Sequence, residues 1–143
     1  MVTLLMNFRP ISLDHLVLRV VDIELMLDFY RDVLGCTLER SVSESGLYQL
    51  RAGVSLIDLI DVGPKSGGAG SGAHDHSNKN LDHFCIRIEP FDEVALRAHL
   101  RLHGIAAGKV KRRYGAEGRG PSLYIDDPEG NIVELKGPSD TQL

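Results

Sequence analysis

Two strings in this chain are near copies of each other: "SLDHLVLRV" at 12–20 and "NLDHFCIRI" at 80–88. A segment that opens twice on Leu-Asp-His and runs on in alternating apolar residues marks a duplicated unit. A duplication restricts the fold more than any composition figure does. The likeness extends over "LDHLVLRVVDIELMLDFYRDVLG" (13–35) and "LDHFCIRIEPFDEVALRAHLRLHG" (81–104). His15 precedes Gly35 by 20 residues and His83 precedes Gly104 by 21, the extra residue falling in the "EPFD" turn.

Within each copy the pattern changes from period two to period three or four, which predicts a strand and then a helix. Ile23, Met26, Leu27, Tyr30 and Leu34 form the first helical stripe, with Asp22 placed to cap it and Gly35 to end it. Val94, Leu96, Leu100 and Leu102, with Ala95 and Ala98, form a looser second stripe between Asp92 and Gly104. Strand-like sequence follows each helix: "TLERSVS", "GLYQLRA" and "VSLIDLIDV", then "KVKRRYG", "PSLYIDD" and "NIVELKG". The expectation is α+β, a βαβββ module repeated in tandem. Module one covers about 11–62 and module two about 81–137, both within one domain spanning 1–143. Residues 63–80, "GPKSGGAGSGAHDHSNKN", have linker composition, and His74 and His76 within them read as incidental histidines of a solvated loop.

Composition narrows the function. A net charge of −4 and 6% aromatic residues argue against a nucleic-acid partner. No apolar run approaches the roughly 20 residues of a membrane span, and "MVTLLMNFRP" lacks the cationic start of a secretory leader. Cys36 and Cys85 form neither a CxxC pair nor a disulfide framework. A cytoplasmic protein acting on a small molecule is expected, without membrane association.

Strand parity then brings particular side chains together. His15 shares a face with Val17 and Arg19, and His83 with Cys85 and Arg87, while Leu16, Leu18, Val20, Phe84, Ile86 and Ile88 take the opposite, apolar faces. In the last strands Asp58 points away from Ile57 and Leu59, and Glu134 away from Val133 and Leu135. A lone histidine at a strand start is usually structural. One histidine and one strand carboxylate at matching places in two modules point instead to a shared divalent cation, because a carboxylate in apolar surroundings needs a partner.

These residues resemble the vicinal oxygen chelate superfamily, which includes glyoxalase I, extradiol dioxygenases, fosfomycin-resistance enzymes, methylmalonyl-CoA epimerase and bleomycin-binding proteins. The resemblance spans about residues 11–137 and is carried by the two Leu-Asp-His segments and by "SLYIDDPEGNIVEL". It is strongest toward small glyoxalase-domain proteins without an assigned substrate. It implies curled mixed sheets enclosing a cleft, a homodimer, and a metal held by His15, His83 and Glu134. Asp58 falls where glyoxalase I has a fourth, glutamate ligand, one methylene longer. Ligation through water, action as a base, and orientation of His15 are all open to it. The metal is nickel, zinc, manganese, cobalt or iron, since such ligands suit each of them.

Open positions on such an ion would take two adjacent oxygens of a substrate, with Asp58 or Glu134 moving a proton. Arg19 and Arg87 either anchor an anionic substrate group or end in solvent. Tyr124, Ser122 and the glycine-bearing basic stretch 109–119 are expected to close over the substrate, as a mobile loop. A lyase or isomerase of the glyoxalase type is the first reading. The alternatives are an extradiol ring-cleaving dioxygenase, which would carry a histidine where Glu117 stands, and a non-catalytic antibiotic-binding protein, which would typically lack the ligand set.

Overall fold

The computed structural model describes residues 7–64 and 80–140, so His74, His76 and most of the expected linker lie outside the described residues. The chain folds as two successive βαβββ modules. The first comprises β1 (His15–Val20), α1 (Ile23–Asp28) continued by a π-helical turn (Phe29–Val33), β2 (Thr37–Val42), β3 (Leu47–Ala52) and β4 (Ser55–Asp61). The second comprises β5 (Phe84–Arg87), α2 (Glu93–Leu102), β6 (Lys111–Gly115), β7 (Gly118–Asp126) and β8 (Ile132–Lys136). Each module forms a four-stranded sheet, in the orders β1-β4-β3-β2 and β5-β8-β7-β6. The outer pairs β1·β4 and β5·β8 are parallel because a helical connection returns the chain in the same direction; the remaining pairs are antiparallel hairpins.

Both helices start where their caps predict. Asp22 accepts from the Leu25 amide and Asp92 from the Ala95 amide, each at 3.1 Å, and Gly35 and Gly104 close the helices at φ of +76° and +72°. The π turn is the departure from a plain helix. It lets the consecutive rings of Phe29 and Tyr30 both reach the core, edge to face with centroids 5.1 Å apart. On α2 the buried stripe is narrower than its sequence suggests. Leu100 is buried and Leu96 packs against the core, whereas Val94 and Leu102, two positions off that line, stand in solvent.

The buried side chains form one cluster that joins the modules. Leu18, Val20, Leu50, Ile57 and Leu59 line the helix side of the first sheet, and Leu123, Ile125, Val133 and Leu135 that of the second, with Met26, Leu27, Tyr30 and Leu100 between them. Residues 109–119, expected to close as a mobile loop beyond the strand-like "KVKRRYG", contain β6 within that segment and the start of β7, a hairpin turning at 116–117. Among the described residues no helix is long and apolar enough to cross a membrane.

Candidate metal centre

The parallel register sets His15 opposite Leu56 and Val17 opposite Asp58, so His15 and Asp58 are diagonal neighbours on one face of the first sheet. That face is the one turned away from the shared core. Asp58 is only 3% exposed. Gln49 lies opposite it on β3 and donates from Nε2 to Oδ2 at 3.1 Å, while the Gln49 Oε1 accepts from Arg40 at 2.9 Å. Oδ1 of Asp58 is buried and has no hydrogen-bond partner. His15 pairs through Nδ1 with Oδ2 of Asp14 at 2.7 Å, which leaves Nε2 as the available ring nitrogen. That hydrogen bond, and then the Asp58 charge, raise the His15 pKa above its usual 6.5.

The second face repeats the arrangement. His83 immediately precedes β5, its Nδ1 lies 2.7 Å from Oδ2 of Asp82, and its ring meets Tyr124 edge-on at 5.1 Å. Tyr124 on β7 and Cys85 on β5 flank Glu134 in register. Glu134 is 6% exposed and accepts a long bond, 3.4 Å, from the Ser122 hydroxyl. Arg113 braces this cluster: it donates to the Ser122 carbonyl and Oγ at 2.9 and 2.8 Å, stands 3.9 Å from the Glu134 carboxylate, and lies 4.4 Å over the Tyr124 ring. Burial, and then Glu134, push the Cys85 thiol up to about 12, although the residue surface as a whole is open. The same two causes raise the Tyr124 phenol. A cleft of about 490 Å³ opens beside this face, lined by Asp82, Ala106, Ala107, Gly108, Tyr124 and Ile132.

Each module thus presents one histidine with Nε2 available and one nearly buried carboxylate. The unpartnered oxygen of Asp58 and the two imidazoles fit a divalent cation. The four groups divide between two faces that look away from a common core. Among the described residues, no three His, Cys, Asp or Glu side chains of one chain gather around a single point.

Of the remaining expected residues, Ser122 and Tyr124 stand beside Glu134, and Arg19 is exposed on the His15 face. Arg87 is engaged: its guanidinium is paired with Glu117 and donates to the Ile88 carbonyl at 2.7 Å. Sequence reasoning missed Asp14, Asp82, Gln49, Arg40 and Arg113. Gln49 had a readable signal, because the turn at Gly53 pairs Ala52 with Ser55 and counting back sets Gln49 against Asp58.

Comparison with known proteins accords with this architecture. Residues 12–135 match the Glyoxalase/Bleomycin resistance protein/Dioxygenase superfamily. The chain is 31% identical over 128 residues to virulence protein STM3117 of Salmonella typhimurium, a match covering 86% of this chain and 81% of that protein. It is 34% identical over 140 residues to glyoxalase domain-containing protein RDO1 of Mycosarcoma maydis, covering 92% and 70%. Among solved structures, integron cassette protein VCH_CASS1, from the mobile metagenome of V. cholerae, superposes with a TM-score of 0.72 at 25% identity, over 94% of this chain and all of that one. With the family description matched over nearly the whole chain and two tandem βαβββ modules behind it, this chain belongs to the glyoxalase/bleomycin resistance protein/dioxygenase superfamily.

Proposed function

We propose that this protein is a divalent-metal-dependent enzyme of the glyoxalase type, a lyase or isomerase acting on a small substrate with two adjacent oxygens. The observation that carries the reading is that His15 lies diagonal to Asp58 across β1·β4, and that His83, just before β5, and Glu134 on β8 both border Tyr124, each set on the face of its sheet turned from the core. Because those faces look away from the core of one chain, the complete centre is assigned to a homodimer. There His15 and Asp58 of one copy meet the partner's His83 and Glu134.

A bound divalent ion would supply Lewis acidity toward the substrate oxygens. His15, His83 and Glu134 are assigned to hold it, with Asp14 and Asp82 fixing the two imidazoles through Nδ1. Asp58, with Oδ1 buried and unpartnered, is assigned as a fourth group facing the ion through that atom, where it would also accept and return a substrate proton. Tyr124 and Ser122 line the face beside Glu134. Arg19 reaches an anionic substrate group, a role that Arg87 can share only by releasing Glu117. The position where a ring-cleaving dioxygenase would carry a histidine holds Glu117, already paired with Arg87, which favours proton transfer over ring cleavage.

Elemental analysis of the purified protein and of His83→Ala tests the reading. The wild type is expected to retain about one divalent ion per chain, and the variant to lose it. Turnover of a glutathione hemithioacetal would support the glyoxalase type, and oxygen uptake with a catechol would replace it by the dioxygenase. Equal metal content in both proteins would overturn the site.

A further inference from the structure

Asp58 keeps one oxygen free, and two residues outside the proposed ligand set hold it that way. The terminal torsion of an aspartate is soft, so its two oxygens exchange places unless one is pinned. Gln49 pins Oδ2 at 3.1 Å. An amide can present either its oxygen or its nitrogen, and here Arg40 decides which. A guanidinium has donors only, so it fixes the Gln49 oxygen on its own side at 2.9 Å and turns the amide nitrogen toward Asp58.

The backbone is shaped for this contact. The β2·β3 register shifts between Leu38 and Arg40, so that Arg40 rather than Glu39 stands opposite Gln49. A bulge of this kind re-aims a side chain. The second module has a parallel construction. Tyr124 occupies the position opposite Glu134 that Gln49 occupies opposite Asp58, and an arginine from the first hairpin strand, Arg113, covers it. In both modules an arginine therefore steadies the residue that faces the strand carboxylate.

We propose that Gln49, oriented by Arg40, is the positioning residue for Asp58: it pins Oδ2 and so presents Oδ1 to the cation. This rests on the metal-centre reading above. The test is calorimetric titration of metal-free protein with Co(II), followed in parallel by the visible absorption of the bound ion. Gln49→Leu keeps the side-chain bulk and removes the donor. It is expected to weaken Co(II) binding by on the order of 10-fold, the lower end of what loss of an outer-shell partner costs, and to alter the absorption spectrum. Arg40→Met, at an exposed position, is expected to weaken binding in the same direction, and Arg40→Lys to recover most of the loss because lysine too is only a donor. A purely structural role would show no such recovery. If Gln49→Leu does not fold, the Arg40 pair decides the matter alone. Wild-type affinity and spectrum in Gln49→Leu, or in Arg40→Met, would overturn the inference while leaving the metal centre standing. A wild-type protein that takes up no Co(II) would overturn both.

Discussion

The Tyr30 hydroxyl donates to Oδ2 of Asp127 at 2.8 Å, joining the π turn of the first module to the β7–β8 turn of the second. Both residues are buried, and Asp127 also accepts from the Glu129 and Asn131 amides and the Asn131 side chain. Two residues along, the Glu129 carboxylate accepts from the Val21 and Asp22 amides, where α1 begins. The "DDPEGN" turn is thus a latch between modules. Tyr30→Phe removes one donor from a buried carboxylate and is expected to lower stability by about 1–3 kcal/mol in urea unfolding. Asp127→Ala strands several donors and should cost more. A Tyr30→Phe variant as stable as the wild type would show that the latch contributes nothing.

A second prediction concerns pH. Arg87, first through its hydrogen bond, holds the Glu117 carboxyl below its usual 4.5. A carboxyl depressed in the folded state adds stability above pH about 4.5, and that contribution is lost as pH falls through the folded value. Glu117→Gln should therefore melt below the wild type at pH 7, with the two curves converging in acid. The difference is small, because the pair is solvent-accessible. A gap that widens toward low pH would contradict this reading.

The β6–β7 hairpin supplies a third. A Cβ at Gly120 would stand 2.4 Å from the Pro138 carbonyl oxygen and 3.1 Å from the Lys136 amine. Backbone cannot yield as a flexible side chain can, so Gly120→Ala is expected to cost about 1–3 kcal/mol. Gly35→Ala offers a contrast: nothing lies within 4 Å of its Cβ, and its cost comes from the +76° φ alone. Denaturant unfolding of both variants checks the two mechanisms.

The modules were legible because each obeys local rules. His15 and His83 open alternating strands, Asp22 and Asp92 cap helices, and glycines end them, so element order and sheet faces followed from periodicity and capping. The π turn was not legible, since it seats Phe29 and Tyr30 together in the core and Tyr30 is bonded to Asp127, a residue nearly a hundred positions away. Within residues 109–119 the strand-like start is β6, whereas the mobile loop expected from the glycines is a hairpin. Gly118 is needed at the hairpin turn and Gly120 for close packing, neither of which implies mobility. For the candidate site, the four residues on the open faces were found by parity. Their partners were harder to see, because Gln49 and Arg40 meet Asp58 only through a strand register and a bulge.

A metal centre shared between two copies makes variants that lack different histidines complement each other. His15→Ala and His83→Ala would each be expected to bind no metal. Co-expressed with different tags and purified as the mixed dimer, they leave one site with both histidines missing and one with both intact. About one divalent ion per mixed dimer, half the wild-type content, is expected by elemental analysis. A mixed dimer as empty as either parent would contradict the shared centre.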